Sequence, residues 1–255
     1  MQEIIKVSDL TIGYDDRIIM ENLNFSIHRG EIFGVLGGSG CGKSTLMKHI
    51  TGLLRPLNGD IEVFGESIVN TYGEKKRRLM RKFGVTYQGG ALFGSMSVAE
   101  NVALPLREFS GFDEKKIAGI VAEKLALVGL QEFGAFMPAE LSGGMKKRAG
   151  LARALALEPE LLFFDEPSAG LDPLASAELD RLILSLRDKL GATVVMITHE
   201  LDSIFAVVDN VIMLDKATRS IADRGDPRHL RYESENQWVR DFLNRSGLKG
   251  EEKHG

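Results

Sequence analysis

One stretch decides the fold, Gly37-Gly38-Ser39-Gly40-Cys41-Gly42-Lys43-Ser44-Thr45. It completes the pattern G-x-x-x-x-G-K-[ST], whose glycines let backbone N–H groups converge on phosphates at the start of a helix. An apolar run, Ile32 to Leu36, precedes it, and helical periodicity follows from Lys43 to Thr51. This context predicts a nucleotide site in which Lys43 reaches the β- and γ-phosphates of ATP and the Ser44 hydroxyl ligates Mg²⁺.

A second pair of motifs lies farther along the chain. Leu141-Ser142-Gly143-Gly144-Met145 indicates another phosphate-contacting element at the start of a helix, and Asp165 and Glu166 close an apolar strand. At that strand end Asp165 suits a Mg²⁺ role, while Glu166 would orient water for attack on the γ-phosphate. The two phosphate-contacting segments can contact the same ATP molecule only if two copies of the chain bind it between them.

In this order the motifs resemble those of the nucleotide-binding subunit of an ABC transporter, with a match from about Ile4 to Leu243. The resemblance implies that Ser142, Gly143 and Gly144 contact the γ-phosphate of ATP bound to the opposing protomer. A homodimer around two ATP molecules is therefore expected, with an integral membrane permease as its partner.

The resemblance also implies roles for four single residues. Tyr14 matches the aromatic residue that stacks on adenine, although a lone tyrosine at a strand end is also a common packing residue. Gln88 matches the glutamine that senses Mg²⁺ and the membrane partner. Asp172 matches a loop that links the two ATP sites, and His199 matches a histidine that contacts the γ-phosphate. Together with Glu166 and Lys43, His199 would form the catalytic group.

The expected fold class is α/β, with a P-loop NTPase (RecA-like) core, an N-terminal antiparallel β subdomain and an inserted α-helical subdomain. Helical periodicity over Ser97 to Phe109, Asp113 to Val128 and Gly144 to Leu157 indicates the insertion. We predict one domain over residues 1–245, with the core at 1–88 and 154–225, the helical subdomain at 89–153 and a C-terminal helix at about 234–245. Residues 246–255 are expected to be a disordered tail.

The composition narrows the class of partner. The chain has 255 residues, 44% apolar and 27% charged, with a net charge of -4 and one cysteine. An acidic balance argues against a nucleic-acid binder, and a single cysteine fits a reducing compartment. Neither a signal peptide nor an apolar run of about 20 residues is visible. A membrane role would go through the permease, so we expect a peripheral location at the cytoplasmic face of the inner (plasma) membrane.

Two segments narrow the family. The stretch Leu141 to Arg148 fits the form L-S-G-G-M-x-[KR]-R, which resembles the ATPases of Mce-type phospholipid transporters that maintain lipid asymmetry, and so does Tyr87 to Phe93. Phospholipid transport between membranes is therefore the expected function. This resemblance implies a Mce-type lipid-binding protein and a small accessory protein as further partners.

Several alternatives stay open. The ATPase of a small-solute importer, for example for amino acids, would share every catalytic residue. A soluble ABC ATPase acting on DNA or ribosomes would be expected to show a coiled-coil insertion, tandem cassettes or a basic surface, and a small-molecule kinase would not explain Leu141 to Gly144. Locally, Leu92 and Phe93 offer either a socket for a permease helix or packing for the helical subdomain. Trp238 and Phe242 are expected to dock the tail helix, with a dimer contact as the alternative.

Overall fold

The computed structural model describes residues 2–245, and for Gln88 the backbone alone. The predicted disordered tail, 246–255, lies outside the described residues. In chain order the elements are β1 (Glu3–Tyr14), β2 (Arg17–His28), β3 (Ile32–Gly37), α1 (Lys43–Ile50), β4 (Asn58–Val63), β5 (Glu66–Ser67), α2 (Gly73–Met80), β6 (Phe83–Thr86), α3 (Val98–Phe109), α4 (Glu114–Leu127), α5 (Gly143–Ala154), β7 (Leu161–Asp165), α6 (Pro173–Leu190), β8 (Thr193–Ile197), α7 (Leu201–Val207), β9 (Asn210–Asp215), β10 (Ser220–Gly225), α8 (Pro227–Glu233) and α9 (Gln237–Asn244).

The chain forms two compact units. The first, unit 1, comprises Met1–Val69 and Ile197–Gly255, and the second, unit 2, comprises Asn70–Met196. Each unit is a part of the chain whose residues contact one another more than they contact the rest. The boundaries of the helical subdomain at 89–153 therefore stay a prediction.

Unit 1 contains the antiparallel sheet expected near the N-terminus. Its strand order is β2-β1-β4-β5, and β1 pairs with β2 from Glu3↔His28 to Tyr14↔Arg17. Alternating apolar side chains of β1, among them Ile5, Leu10 and Ile12, are fully buried, as expected for strands with one covered face.

A second group of strands in unit 1 supports the phosphate loop. The strands lie in the order β10-β9-β3, and β3 runs parallel to β9 with Gly34 opposite Val211. Every residue of β3 is buried, which is typical of a parallel strand covered on both faces. This strand delivers the chain to the loop at Gly38 and then to α1.

Unit 2 combines strands with the predicted helices. Strand β7 lies between β8 and β6, and β6 runs parallel to β7, from Phe83↔Leu161 to Thr86↔Phe164. Helix α3 begins with a capping box between Ser97 and Glu100, and Asp113 caps α4 by accepting the Lys116 N–H. These caps explain why the two helices begin where the sequence pattern predicts.

The C-terminal part of unit 1 differs from the sequence expectation in one respect. Strand β10 and helix α8 were not predicted, because the segment is short and mostly polar. In α9 the fully buried side chains are Val239 and Leu243, whereas Trp238 and Phe242 are half-buried, with their rings tilted by 46° and the ring centroids 5.7 Å apart. Val239 and Leu243 therefore pack α9 onto the protein, and the docking role of Trp238 and Phe242 stays a prediction. Among the described helices, none is long and apolar enough to cross a membrane.

Candidate active site

The phosphate loop lies in unit 1 between β3 and α1. Gly37 and Gly42 have φ values of 147° and 102°, which L side chains rarely adopt. A Cβ atom on Gly42 would also come within 2.6 Å of Ile19 Cγ2. Gly42 is the N-cap of α1 and provides no side-chain cap, so the first N–H groups of the helix are available to a phosphate.

Lys43 lies over its own loop. Its ammonium group donates to the carbonyls of Gly37 at 2.8 Å and Gly38 at 3.0 Å. Cys41 has 1% of its surface exposed. Burial raises the pKa of the Cys41 thiol, while the nearby Lys43 charge acts in the opposite direction. The loop thus turns its lysine toward the surface that would face phosphate and its thiol toward the interior. Ser39, Gly40 and Ser44 are exposed on this loop, and Thr45 is half-buried.

Tyr14 lies at the end of β1 and is linked to α1. Its hydroxyl accepts a hydrogen bond from the Lys48 ammonium at 3.5 Å. A hydrogen bond with the Thr45 side chain is the main cause that lowers the Tyr14 pKa. The side chain is still 42% exposed, so the ring keeps a face open for stacking. Tyr14 is therefore brought to the phosphate-loop helix, as the adenine-stacking role requires.

His199 belongs to the same unit and follows β8. It is exposed, and its Nε2 atom lies 3.7 Å from Glu200 Oε1. The Glu200 N–H donates to the Thr198 hydroxyl at 3.1 Å, which fixes the turn that presents the histidine. An exposed imidazole at a strand end is suited to contacting a ligand.

The acidic residues lie in unit 2, where two parallel strands end side by side. Thr86 of β6 is opposite Phe164 of β7, so the backbones of Gln88 and Glu166 leave the sheet at the same edge. Asp165 and Glu166 are half-buried. The pKa of the Tyr87 hydroxyl is raised chiefly by burial and further by the nearby Asp165 carboxylate.

Glu166 opens a tight turn that runs to Ala169. Its φ of 51° lies in the left-handed region, which costs energy for a residue with a side chain. The Ala169 N–H donates to the Glu166 carbonyl at 3.3 Å. The Lys147 ammonium donates to the same carbonyl at 3.4 Å and also to the Ala169 carbonyl.

Lys147 lies on α5, the helix that begins at the predicted second phosphate element. Ser142 is the N-cap of α5, and the Ser142 hydroxyl accepts a hydrogen bond from the Met145 N–H at 3.3 Å. Gly143 and Gly144 are the first residues of the helix, and Ser142 and Gly143 are exposed. A Cβ atom on Gly144 would meet Leu171 Cδ2 at 3.4 Å. The small residues therefore leave the helix start open toward a partner.

Asp172 has a structural task that its motif does not reveal. Its carboxylate accepts the N–H groups of Leu174 and Ala175, both at 3.0 Å, and so caps α6. The side chain is exposed at the helix N-terminus.

Two residues that hold the segment after Gln88 are absent from the predicted site. Arg153 of α5 donates to the carbonyls of Ala91 at 2.9 Å and Gly90 at 3.2 Å. Asn101 is fully buried and its amide nitrogen donates to three carbonyls in the loop before α3, including that of Phe93 at 3.1 Å. Lys147, which holds the turn from Glu166 to Ala169, is also absent from that site. A long polar residue on a helix is usually solvated, so no sequence signal distinguishes these residues from surface side chains.

The donors fit Mg²⁺ better than a transition metal. The described residues contain no group of three or more His, Cys, Asp or Glu side chains that could hold a metal ion. Mg²⁺ does not need such a group, because it keeps several waters and is bound by one or two protein oxygens together with phosphate oxygens. The Ser44 hydroxyl and the Asp165 carboxylate are oxygen donors of that kind.

Comparisons with known proteins agree with these features. Residues 20–169 match the ABC transporter family. A Mycobacterium tuberculosis protein named probable ribonucleotide transport ATP-binding protein mkl is 42% identical over 94% of this chain, and the chain spans 66% of that relative's length. A Haemophilus influenzae protein named intermembrane phospholipid transport system ATP-binding protein MlaF is 38% identical over 95% of this chain and 90% of its own.

Solved structures confirm the fold class. The chain is similar to cbiO1 from Clostridium perfringens, described as part of the ABC transporter complex cbiONQ, with a TM-score of 0.82, 31% identity and coverage of 98% of this chain and 99% of that one. It is also similar to the ATP-binding cassette MJ0796 in a dimeric post-hydrolysis state bound to ADP and Pi, with a TM-score of 0.80, 26% identity and coverage of 87% and 98%. The chain therefore belongs to the ABC transporter ATP-binding family and carries its ATP-hydrolysing domain.

Proposed function

We propose that this chain powers a membrane permease that moves phospholipid between membranes. The observation that carries the proposal is the near end-to-end match to a relative named for intermembrane phospholipid transport, which covers 95% of this chain and 90% of the relative. Two segments, Leu141 to Arg148 and Tyr87 to Phe93, point to the same group. We expect the chain to work at the cytoplasmic face of the inner membrane, with a Mce-type lipid-binding protein and a small accessory protein in the complex.

Each predicted site residue receives a role in this proposal. Residues 37 to 45 bind the phosphates of ATP, with Lys43 as the charged contact, and Tyr14 stacks on the adenine. Glu166 accepts a proton from the attacking water and orients it, while His199 contacts the γ-phosphate.

The second copy of the chain completes the proposed sites. Ser142, Gly143 and Gly144 of one protomer contact the γ-phosphate bound to the other, because the start of α5 is open and rich in N–H donors. Asp172 links the two sites through the start of α6. The dimer therefore closes only when both ATP molecules are present.

Mg²⁺ would be held by Ser44 and Asp165, with Gln88 as a third contact. When bound, it would neutralise charge on the phosphate oxygens. The protein's own contribution is to fix these oxygens at the ends of rigid elements, the start of α1 for Ser44 and the end of β7 for Asp165.

The socket for the permease is proposed at Gln88 to Phe93, and a groove in unit 2 extends it, because Arg153 both lines the groove and contacts the Phe93 ring. The groove has a volume of about 330 Å³ and is lined by apolar side chains such as Phe83, Val85 and Phe109, with Arg77, Arg81 and Arg153 among its walls. The Arg81 guanidinium lies 5.8 Å from the centroid of the Phe109 ring. Apolar walls with arginines fit an amphipathic cytoplasmic helix of the permease that carries carboxylates.

A second candidate function is ribonucleotide transport. It is favoured by the name of the mycobacterial relatives, which are 42% identical. The catalytic residues would be the same, so the substrate must be tested on the assembled transporter.

Purification of the complex from native membranes, followed by mass spectrometry of its proteins and bound lipid, gives the first test. The complex is then reconstituted in vesicles, and ATP turnover is measured with added phospholipid or ribonucleotide, with Glu166→Gln as the inactive control. Phospholipid in the complex and stimulation by phospholipid alone would support the proposal. A co-purifying solute-binding protein, with stimulation by a ribonucleotide or amino acid and none by phospholipid, would contradict it.

A further inference from the structure

The turn that carries Glu166 is held by a side chain from outside the turn. The turn runs from Glu166 to Ala169, and Glu166 adopts a left-handed backbone conformation with φ of 51°. Such a conformation persists only where the surrounding structure holds it. Within the turn, the Ala169 N–H donates to the Glu166 carbonyl at 3.3 Å.

Lys147 supplies the external hold. Its ammonium donates to the carbonyl of Glu166 at 3.4 Å and to the carbonyl of Ala169, and so it bridges the first and last residues of the turn. The side chain is half-buried, which makes a charged hydrogen bond stronger than it would be in open solvent. The preceding lysine, Lys146, makes no hydrogen bond to this turn among the described residues.

The bridge joins the turn to α5, the helix whose N-cap is Ser142. Lys147 follows Ser142, the N-cap, by five residues, so the two lie about 7.5 Å apart along the helix axis at 1.5 Å per residue. The same helix touches the chain beyond the turn, because Gly144 faces Leu171. A displacement of the start of α5 would therefore move the Lys147 ammonium and, with it, the Glu166 and Ala169 carbonyls that it binds.

We propose that Lys147 is a positioning residue that couples the start of α5 to Glu166. When the start of α5 contacts the γ-phosphate of the opposing protomer, Lys147 holds the turn so that the Glu166 carboxylate meets the attacking water. Lys147 forms and breaks no covalent bond and transfers no proton. The inference rests on the proposed role of Glu166, and it adds the residue through which the partner's site controls that role.

The test compares Lys147→Met, Lys147→Arg and the neighbouring control Lys146→Met in the full chain, with steady-state ATP turnover as the readout. We expect Lys147→Met to lower kcat by about tenfold to a hundredfold, the cost of a slightly misplaced catalytic group. The KM for ATP should change less than twofold, since the phosphate loop is untouched. Lys147→Arg should recover most of kcat, because it keeps the charge and the donors, and Lys146→Met should match the original chain.

A double variant separates positioning from general damage. Adding Lys147→Met to Glu166→Gln should lower the residual turnover no further, because the two residues would act as one unit. A kcat within twofold of the original in Lys147→Met, an equal loss in Lys146→Met, or a fully additive loss in the double variant would each overturn the inference. If Glu166→Gln itself kept normal turnover, the role of Glu166 would fall, and that result is distinct from a failure of Lys147 alone.

Discussion

The Arg153 guanidinium lies over the ring of Phe93, with its Cζ atom 5.7 Å from the ring centroid. Burial lowers the Arg153 pKa, and the same guanidinium holds the carbonyls of Gly90 and Ala91. Phe93 nevertheless keeps 52% of its surface exposed. An aromatic ring that is oriented by an arginine and left open to one side is suited to be an interface anchor, since tyrosine, tryptophan and arginine dominate such sites.

Replacing Phe93 by Glu should weaken the complex with the permease. We expect the loss of an anchor of about 2 kcal/mol, which corresponds to about a thirtyfold higher Kd. The ATP affinity of the isolated subunit should stay unchanged, because Phe93 is not one of the predicted nucleotide-binding residues. The measurement is a binding titration of the subunit with the purified permease.

Phe112 offers a matched control for that experiment. It is also an exposed phenylalanine of unit 2, at 40%, and its ring contacts Lys116 with the ammonium 3.6 Å from the centroid. Phe112→Glu should bind the permease normally. Equal binding by Phe93→Glu and Phe112→Glu would instead favour the packing role for Phe93.

Replacing Glu166 by Gln should spare ATP binding and reduce hydrolysis by at least about a hundredfold, the lower range for a lost general base. Because hydrolysis normally reopens the ATP sandwich, the variant should also form a longer-lived dimer with ATP, which size-exclusion chromatography can detect. Glu132→Gln, at an exposed glutamate, is the control. Near-normal turnover in Glu166→Gln would remove this residue from the proposed chemistry.

Much of this architecture could be predicted from local patterns. The strand before the phosphate loop and the helix after it follow from an apolar run and a helical period, and both were found at Ile32–Gly37 and Lys43–Ile50. A polar strand at the edge of a sheet could not be predicted in this way, because Ser220–Gly225 contains Asp223 and Arg224 in place of an alternating apolar pattern. Such a strand forms because a neighbour, β9, offers its backbone groups.

The contacts that fix the site could not be predicted in the same way. Lys147 stands in a basic run, Lys146-Lys147-Arg148, for which the sequence allows a solvated helix face or contact with a partner. The structure instead directs Lys147 to carbonyls of a distant turn and Arg148 to Glu178. Tertiary packing decides which face of α5 is covered by other elements, and the neighbouring residues in the sequence do not determine it.

Cys41 gives a prediction that the structure alters. From its place in the phosphate loop, the thiol is expected to react with a maleimide and to block ATP binding. The side chain is buried, and burial raises its pKa, so the thiolate fraction at neutral pH is smaller than in an exposed cysteine. We therefore expect alkylation of the folded chain to be slow, faster at higher pH, and slower still with ATP and Mg²⁺.

The rate of maleimide labelling, followed by mass spectrometry, checks this expectation. The urea-denatured chain gives the rate for the exposed thiol, and Cys41→Ala gives the background. Once labelled, the folded chain should lose ATP binding, since a Cβ atom on Gly37 would already touch the Cys41 sulfur at 2.7 Å and leaves no room for an adduct. Labelling at the denatured rate, or equal loss of ATP binding in Cys41→Ala, would contradict it.

His49 of α1 should make the stability of the chain depend on pH. The side chain is fully buried, its Nδ1 atom lies 3.2 Å from the Leu54 carbonyl, and burial lowers its pKa from 6.5. The unfolded chain therefore binds a proton at His49 more readily than the folded chain. This contribution to the free energy of unfolding is fully present above pH 6.5 and is lost as the pH falls toward the folded pKa, with a slope of at most about 1.4 kcal/mol per pH unit.

Urea unfolding at a series of pH values from about 5 to 8 measures this effect in the original chain, in His49→Leu and in the control His229→Leu, which changes an exposed histidine. Other groups also titrate in this range, so the informative quantity is the difference in free energy of unfolding between each variant and the original chain. For His49→Leu that difference should shift in favour of the variant as the pH falls below 6.5, because leucine has no proton to gain on unfolding. The His229→Leu series gives the baseline for a histidine-to-leucine change at an exposed position. A His49→Leu difference that is constant across the series would show that the imidazole takes up its proton equally well in the folded chain.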